Sequence, residues 1–532
     1  MKPESAETRA RYDSLPYGSY AYAHSAPEQI EAIAALFGVH APAVPTARIL
    51  EVGGASGGNL IPVALRNPGA RCVGVELSGV QVAHAREHAA RLGLSNVEFI
   101  EADLLELDPA ALGQFDYIVA HGVYSWIPPQ AQHALLALCE ACLSPAGVAY
   151  VSYNTYPGWK AKEVLRDAML FHGRGQPPAD QVDYGRSMAE FLRTVARDGG
   201  VTDLALRENL DQIRIAPADY LAHDYLEPYN LPCYFHEFLR EAGRHGLAYL
   251  GEALPSMMMP ANYGEELART LYSAVGDDQV RVEQYLDFAI DRAFRQTLLV
   301  RSDRADAIQR RPDLEVLSDL HVAVRLDCAE PHIRFDGSRQ QFLSPTGQGI
   351  ATGADATKRA IQRLRAAWPG TVAFDELVAH AQQGSTDSRQ REEAQLQVGD
   401  LVAMLAFRGV ARLRARPVRL GGEQARPILA PDVLRMVQAL EAGQKHVANA
   451  WHDTVDIGPL EALVFPRLDG SLDRDGLVAL VAAHVAEHGP VQLASHNAAD
   501  PDARPSTDAA VIADRMLGWL QDSGVLAADP AG

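Results

Sequence analysis

Cysteine is scarce: there are five in 532 residues, and only Cys139 and Cys142 lie close together. That excludes a disulfide framework. With no second Cys or His pair at ligand spacing, no metal site is expected. The C-x-x-C pair follows the apolar run from Ala134 and reads as two packed helix residues. Long apolar runs are missing as well. No stretch approaches the roughly 18–20 residues of a membrane span, and no apolar segment opens the chain, so a soluble, cytoplasmic protein is expected. Positive charge is outweighed, 48 Lys+Arg against 68 Asp+Glu, which makes a nucleic-acid partner unexpected. The 47% hydrophobic content suffices for several cores, and the length allows about three or four domains.

What is present is one well-marked nucleotide-type stretch, Ala47 to Ala64. Arg48 to Val52 reads as a short buried strand, Gly53 to Gly58 as a tight small-residue turn, and Asn59 as the start of a helix. Strand, glycine loop and helix in that order cradle a polar or anionic ligand, because the glycines admit close approach and the helix start offers free N–H groups. Two cofactors compete for it. A dinucleotide needs G-x-G-x-x-G, which Gly53-x-Ala55-x-x-Gly58 matches only in degraded form. S-adenosyl-L-methionine (SAM) needs an acid ending the strand and a small-residue loop, and Glu51-Val52-Gly53-Gly54-Ala55-Ser56-Gly57 supplies both. Three further strands follow at the spacing of successive strand–helix units. Arg71 to Glu76 ends in an acid placed for ribose hydroxyls, Asn96 to Asp103 ends in an acid placed for the adenine amino group, and Gln114 to Ala120 has the F-D-Y-I-V character of SAM enzymes. The expected fold is therefore α/β, a Rossmann-like class I methyltransferase sheet. The expected cofactor contacts are Tyr17, Glu51, Gly53, Gly54, Ala55, Gly57, Asn59, Glu76, Leu77, Asp103, Leu104 and His121.

The rest of the chain divides by pattern. Residues 1–45, with Tyr12, Tyr17, Tyr20 and Tyr22, read as a cap or lid; 46–172 as the SAM-binding domain; and 173–300 as a helical middle domain. In that domain Gln279 to Leu299, including Asp287, Arg292 and Arg295, is read as one long helix. Residues 301–355 read as a connector of strands and turns. Residues 356–420 and 421–532 each show helices followed by a glycine turn into a short apolar strand, the outline of tandem winged-helix-like modules. Arg412, Arg414 and Arg416 alternate on one strand face, a pattern open to a phosphate-touching wing, while the modules are read as docking a protein or giving plain structural support. The expected SAM contacts all lie at or before His121, so the chain beyond about residue 355 is expected to be dispensable for cofactor binding.

The sequence resembles the methyltransferases that carry a methyltransferase regulatory domain, including the rickettsial lysine methyltransferases of outer membrane protein B. The resemblance is carried by Tyr12-Asp13…Pro16-Tyr17, Glu51 to Pro62, His121 to Pro128, and Asn154 to Trp159. It continues in Tyr234-Phe235-His236-Glu237-Phe238 and Asp287-Phe288…Arg292 to Leu299, and more loosely in Leu468-Asp469-Gly470. Gly54 departs from the family, where cysteine is common. The resemblance implies lysine N-methylation of a protein acceptor. A small-molecule or RNA methyltransferase, or a non-catalytic SAM-binding interaction protein, would use the same loops.

Methyl transfer is an in-line displacement, so positioning supplies most of the catalysis. A lysine acceptor must be neutral to attack, and a partly dry mouth lowers its pKa. Aromatic walls favour sulfonium and methylated ammonium by about 0.5–2 kcal/mol. The candidate catalytic residues are Tyr124 and Trp126 after the fourth strand, Tyr156 and Trp159 after the fifth, and His121 as the titratable group beside them. Tyr153 is a further candidate wall.

Overall fold

The computed structural model describes residues 3–216, 218–441, 444–493 and 505–528. Helix α1 (Pro3–Ser14) and helix α2 (Pro27–Leu36) precede the first strand. Strands β1 (Arg48–Val52), β2 (Arg71–Glu76), β3 (Val97–Glu101), β4 (Phe115–Ala120) and β5 (Leu143–Asn154) run parallel. Two more strands, β6 (Leu247–Glu252) and β7 (Phe294–Arg301), complete a seven-stranded sheet in the order β3-β2-β1-β4-β5-β7-β6, with β7 antiparallel to both neighbours. This is the Rossmann-like methyltransferase arrangement expected. Helix α3 (Leu60–Arg66) leaves the glycine loop, and helix α4 (Gly79–Arg91) follows β2 with Ser78 as its N-cap.

Side-chain alternation assigns each strand's residues to two cores. Leu50, Ile118 and Ala149 face the helix Pro129–Cys142, in which Cys139 and Cys142 are buried core residues. Ile49, Tyr117, Val148 and Tyr150 face the other way, onto a core shared with α2 and with the C-terminal half of the chain. That second core is continuous from the sheet through Phe374, Leu405, Val433 and Met516. The C-terminal half is therefore packed into the catalytic body.

The middle region holds the helices Gly158–His172, Pro178–Val195, Val201–Ile215, Ala218–Tyr225 and Phe235–Arg244. His223 and Tyr225 lie on the helix Ala218–Tyr225. The single helix expected over Gln279 to Leu299 is a correction: it stops at Ala289, Asp291 adopts a left-handed φ of 51°, and the chain returns as β7. Apolar residues spaced for a helix also satisfied strand alternation. The break lets Arg295 on β7 reach back to Asp287 and Glu283 of that helix and to Glu252 on β6, each at 2.8–2.9 Å and fully buried. Arg292 also donates to Asp287, at 2.5 Å. A five-residue ionic cluster thus ties the two added strands to the middle region.

The first winged-helix-like module contains the helices Asp355–Ala367, Phe374–Ala381 and Ser388–Phe407 and the strand Arg412–Arg414. Its central strand, His321–Ala323, comes from the stretch expected to be a connector. The last module holds the helices Pro431–Gln438, Pro459–Val464, Arg474–His488 and Ala509–Asp522, with a hairpin His446–Ala448/Thr454–Asp456. Arg412 pairs with Asp453 at 2.7 Å, Arg414 is buried beside Trp451, and the exposed Arg416 lies 3.6 Å from Glu31. Each arginine of the stripe thus faces a partner within the protein, and only Arg414 is buried. Among the described residues no helix is long and apolar enough to cross a membrane.

Candidate active site

A cavity of about 440 Å³ opens at the carboxyl ends of β1, β2 and β4, where open α/β sheets bind ligands. Its volume is that of a typical small-molecule site. Glu51 ends β1 with its carboxylate almost fully buried. Asn59 Nδ2 donates to Glu51 Oε1 at 2.7 Å, and Oε2 has no partner. Burial pushes the Glu51 carboxyl up to about 7, with the Asn59 bond opposing and the Glu76 charge adding. A half-satisfied buried carboxylate facing a cavity is suited to a cationic group.

The glycine loop supplies the wall. Gly53 and Gly57 have φ of 71° and 80°, which other residues rarely adopt, and a Cβ on Gly53 would sit 2.5 Å from Val123. A Cβ on Gly54 would come 2.8 Å from Glu51 Oε2, so this position is coupled to the carboxylate orientation. The Ala55 N–H donates to Glu76 Oε2 at 3.2 Å, while Glu76 Oε1 accepts from the N–H groups of Leu77 and Ser78. Burial raises the Glu76 pKa against those three bonds. Asp103 spends Oδ1 on the Leu105 N–H and leaves Oδ2 buried without a partner. Gln81 Nε2, on the same cavity, is likewise unpartnered.

The expected cofactor contacts Tyr17, Glu51, Gly53, Gly54, Ala55, Asn59, Glu76, Leu77, Asp103, Leu104 and His121 all line this cavity. Gly57 does not; it makes the turn beneath Phe99 and Ile61. Of the expected catalytic residues, His121, Trp126 and Trp159 line it, and Tyr124 and Tyr156 do not. Tyr124 is buried edge-on against Phe238, which stacks on Tyr153, so both tyrosines are core. Tyr156 turns to Glu163, its hydroxyl 2.6 Å away, with Lys160 over its ring. Asn154 reaches the cavity from the end of β5 and Trp159 from the start of the helix Gly158–His172, while Tyr153 lies on the other face of β5, in the core with Tyr124.

His121 is half-buried, its ring tilted by 31° against Tyr22 with the centroids 3.9 Å apart and Nδ1 2.9 Å from the Tyr150 hydroxyl. Burial, with His24 adding, depresses its pKa to about 3, so the ring is neutral. Opposite stands a wall that the sequence did not point to: Tyr220, His223 and Asp224 from the helix Ala218–Tyr225, with Tyr229 and Lys162. Burial lowers the Lys162 pKa, and its Nζ lies 5.3 Å from the Trp159 ring centre. Trp126 and Trp159 meet edge to face at 6.0 Å.

The N-terminal segment roofs the cavity through Tyr12, Tyr17, Tyr20 and Tyr22. It is anchored on both sides. Asp13 accepts from the Ser78 hydroxyl at 2.6 Å, Arg11 donates to the Leu226 carbonyl, and the His223 ring lies between Tyr12 and Tyr17. The Gly58 N–H donates to Ser19 Oγ at 2.7 Å, closing the segment directly onto the glycine loop.

Three family descriptions match the chain: a methyltransferase domain over residues 49–147, a predicted methyltransferase regulatory domain over 217–301, and a PKMT C-terminal winged helix domain over 427–525. The uncharacterized protein RP789 of Rickettsia prowazekii is 31% identical over 494 residues, covering 91% of this chain and 87% of its own. A second protein of that organism, RP028, is 33% identical over 234 residues, covering 43% of this chain and 93% of its own. In fold, the chain is similar to PKMT2 from Rickettsia typhi, whose structure was solved in complex with AdoHcy: TM-score 0.80, 23% identity, 96% of this chain and 100% of that one. The two unpartnered acid oxygens, the glycine cradle and the cavity volume fit SAM as cofactor. The chain belongs to the SAM-dependent class I methyltransferases that carry a methyltransferase regulatory domain and a PKMT-type C-terminal winged helix.

Proposed function

We propose that the protein N-methylates lysine side chains of a protein acceptor. The observation that carries this is the joining, in one cavity, of three acids at the sheet edge (Glu51, Glu76, Asp103) with a cation-tolerant mouth built from Trp126, Trp159, Tyr220 and Tyr229. PKMT, the name attached to the matching winged-helix family and to the similar fold, denotes protein lysine methyltransferases and supports the same reading.

When bound, SAM supplies an electrophilic methyl on a sulfonium centre. Glu51 and Asp103 offer their unpartnered oxygens as acceptors for cationic and amino N–H groups, and Glu76 is placed for ribose hydroxyls. The aromatic edge formed by Trp126 and Trp159 shields the mouth from water and attracts positive charge. An acceptor ammonium entering beside Lys162 meets a like charge, opposed by Asp224 on the same wall, and a poorly hydrated surface that favours loss of its proton to water at the mouth. With SAM held by Glu51, Glu76 and Asp103, that neutral amine would be the nucleophile for the methyl group SAM supplies. His121, held neutral, is placed to pack and orient, and its low pKa makes it a weak base.

The test is incubation of the purified chain with labelled SAM and a bacterial extract, followed by mass spectrometry. Label on lysine of protein species supports the reading. Label confined to small molecules or RNA overturns it while leaving the methyltransferase activity intact.

A further inference from the structure

The hairpin of the last module places His452 against the SAM loop. His452 is buried, has a left-handed φ of 64°, and lies with Nε2 2.8 Å from Asn59 Oδ1 and Nδ1 2.6 Å from Arg66. Arginine only donates, so Nδ1 is an acceptor and the ring proton sits on Nε2, donating to Asn59. Oδ1 of Asn59 also accepts from the Tyr22 N–H at 3.0 Å, and this fixes the amide so that Nδ2 faces Glu51 Oε1 at 2.7 Å. A non-glycine residue at positive φ is strained and persists only where its surroundings over-determine it. Asn449 does so: its side-chain oxygen accepts from the N–H groups of Trp451 and Asp453, and its backbone carbonyl accepts from the His452 N–H.

We propose that His452 is a positioning residue for the cofactor: through Asn59, the C-terminal winged helix determines that Oε1 of Glu51 is occupied and Oε2 is presented to the cavity. This rests on Glu51 being a cofactor contact. It makes the C-terminal module part of the SAM site, against the expectation that the chain beyond about 355 is dispensable for cofactor binding. It also gives a partner engaging the winged helix a route to the cofactor carboxylate through three side chains.

The experiment measures SAM affinity by calorimetry, and melting temperature, for the full chain and for Glu51→Gln, His452→Leu, His452→Gln and the Glu51→Gln/His452→Leu double variant. His452→Leu is expected to weaken SAM about tenfold, within the range typical of coupled sites. His452→Gln, which keeps a donor and an acceptor, is expected to restore most of that loss. In the Glu51→Gln background the effect of His452→Leu should largely vanish, whereas a merely structural residue would cost the same in both. If His452→Leu binds SAM like wild type while Glu51→Gln does not, the proposal falls and the site reading stands. If Glu51→Gln is itself silent, the site reading falls and the proposal with it. Hydrogen exchange on the unmutated chain guards against misfolding variants: coupling is reciprocal, so saturating SAM should slow exchange across Asn449–Asp453, and no change there overturns the proposal.

Discussion

Glu51 and Asn59 share one hydrogen bond of 2.7 Å, and it leaves the other oxygen of a buried carboxylate without a protein partner. With the free-protein carboxyl near 7, binding of a cationic ligand there must release a proton at lower pH. SAM affinity is expected to be flat above about pH 7.5 and to fall by up to about tenfold per unit between pH 7 and 5. Calorimetry across that range checks it, and Glu51→Gln should remove the slope.

Glu76→Ala is expected to weaken SAM binding by about 1.5–3 kcal/mol, through lost charged hydrogen bonds. Because the same carboxylate accepts from Ala55, Leu77 and Ser78, part of the loss will come from a looser loop. Glu76→Gln, which keeps an acceptor, should lose less. Equal, wild-type-like affinity in both would remove Glu76 from the site.

Trp126→Ala and Trp159→Ala should spare SAM affinity and lower turnover about tenfold or more, from poorer alignment and a wetter mouth. Tyr124→Ala should instead cost about 3–5 kcal/mol of stability, since that ring is packed on Phe238. Thermal melts beside single-turnover rates separate the two behaviours.

Arg295→Met should destabilise the fold by about 3–5 kcal/mol, because it leaves Glu252, Glu283 and Asp287 buried without their shared cation. Denaturant unfolding measures this. An unchanged midpoint would mean the acids take up protons at little cost.

Truncation after residue 355 should abolish cooperative melting of the catalytic body, because it strips one face of the sheet of the core it shares with Phe374, Leu405 and Val433. A truncated protein melting like the full chain would contradict that shared core.

The acid-and-glycine wall of the cavity was legible in the sequence because its determinants are local. Glu51, the glycines, Glu76 and Asp103 each end a strand whose own buried pattern places it at one edge of the sheet. The helical outline of the C-terminal modules was legible for the same reason. Strand β7 was not, because a run from Gln279 to Leu299 fits a helix or a strand until the left-handed Asp291 separates them. The cavity wall from Tyr220 to Tyr229, the burial of Arg414, and the contact of His452 with Asn59 across 393 residues were decided only by the tertiary structure. Periodicity reports which face of an element is buried, whereas these features depend on which other element buries it.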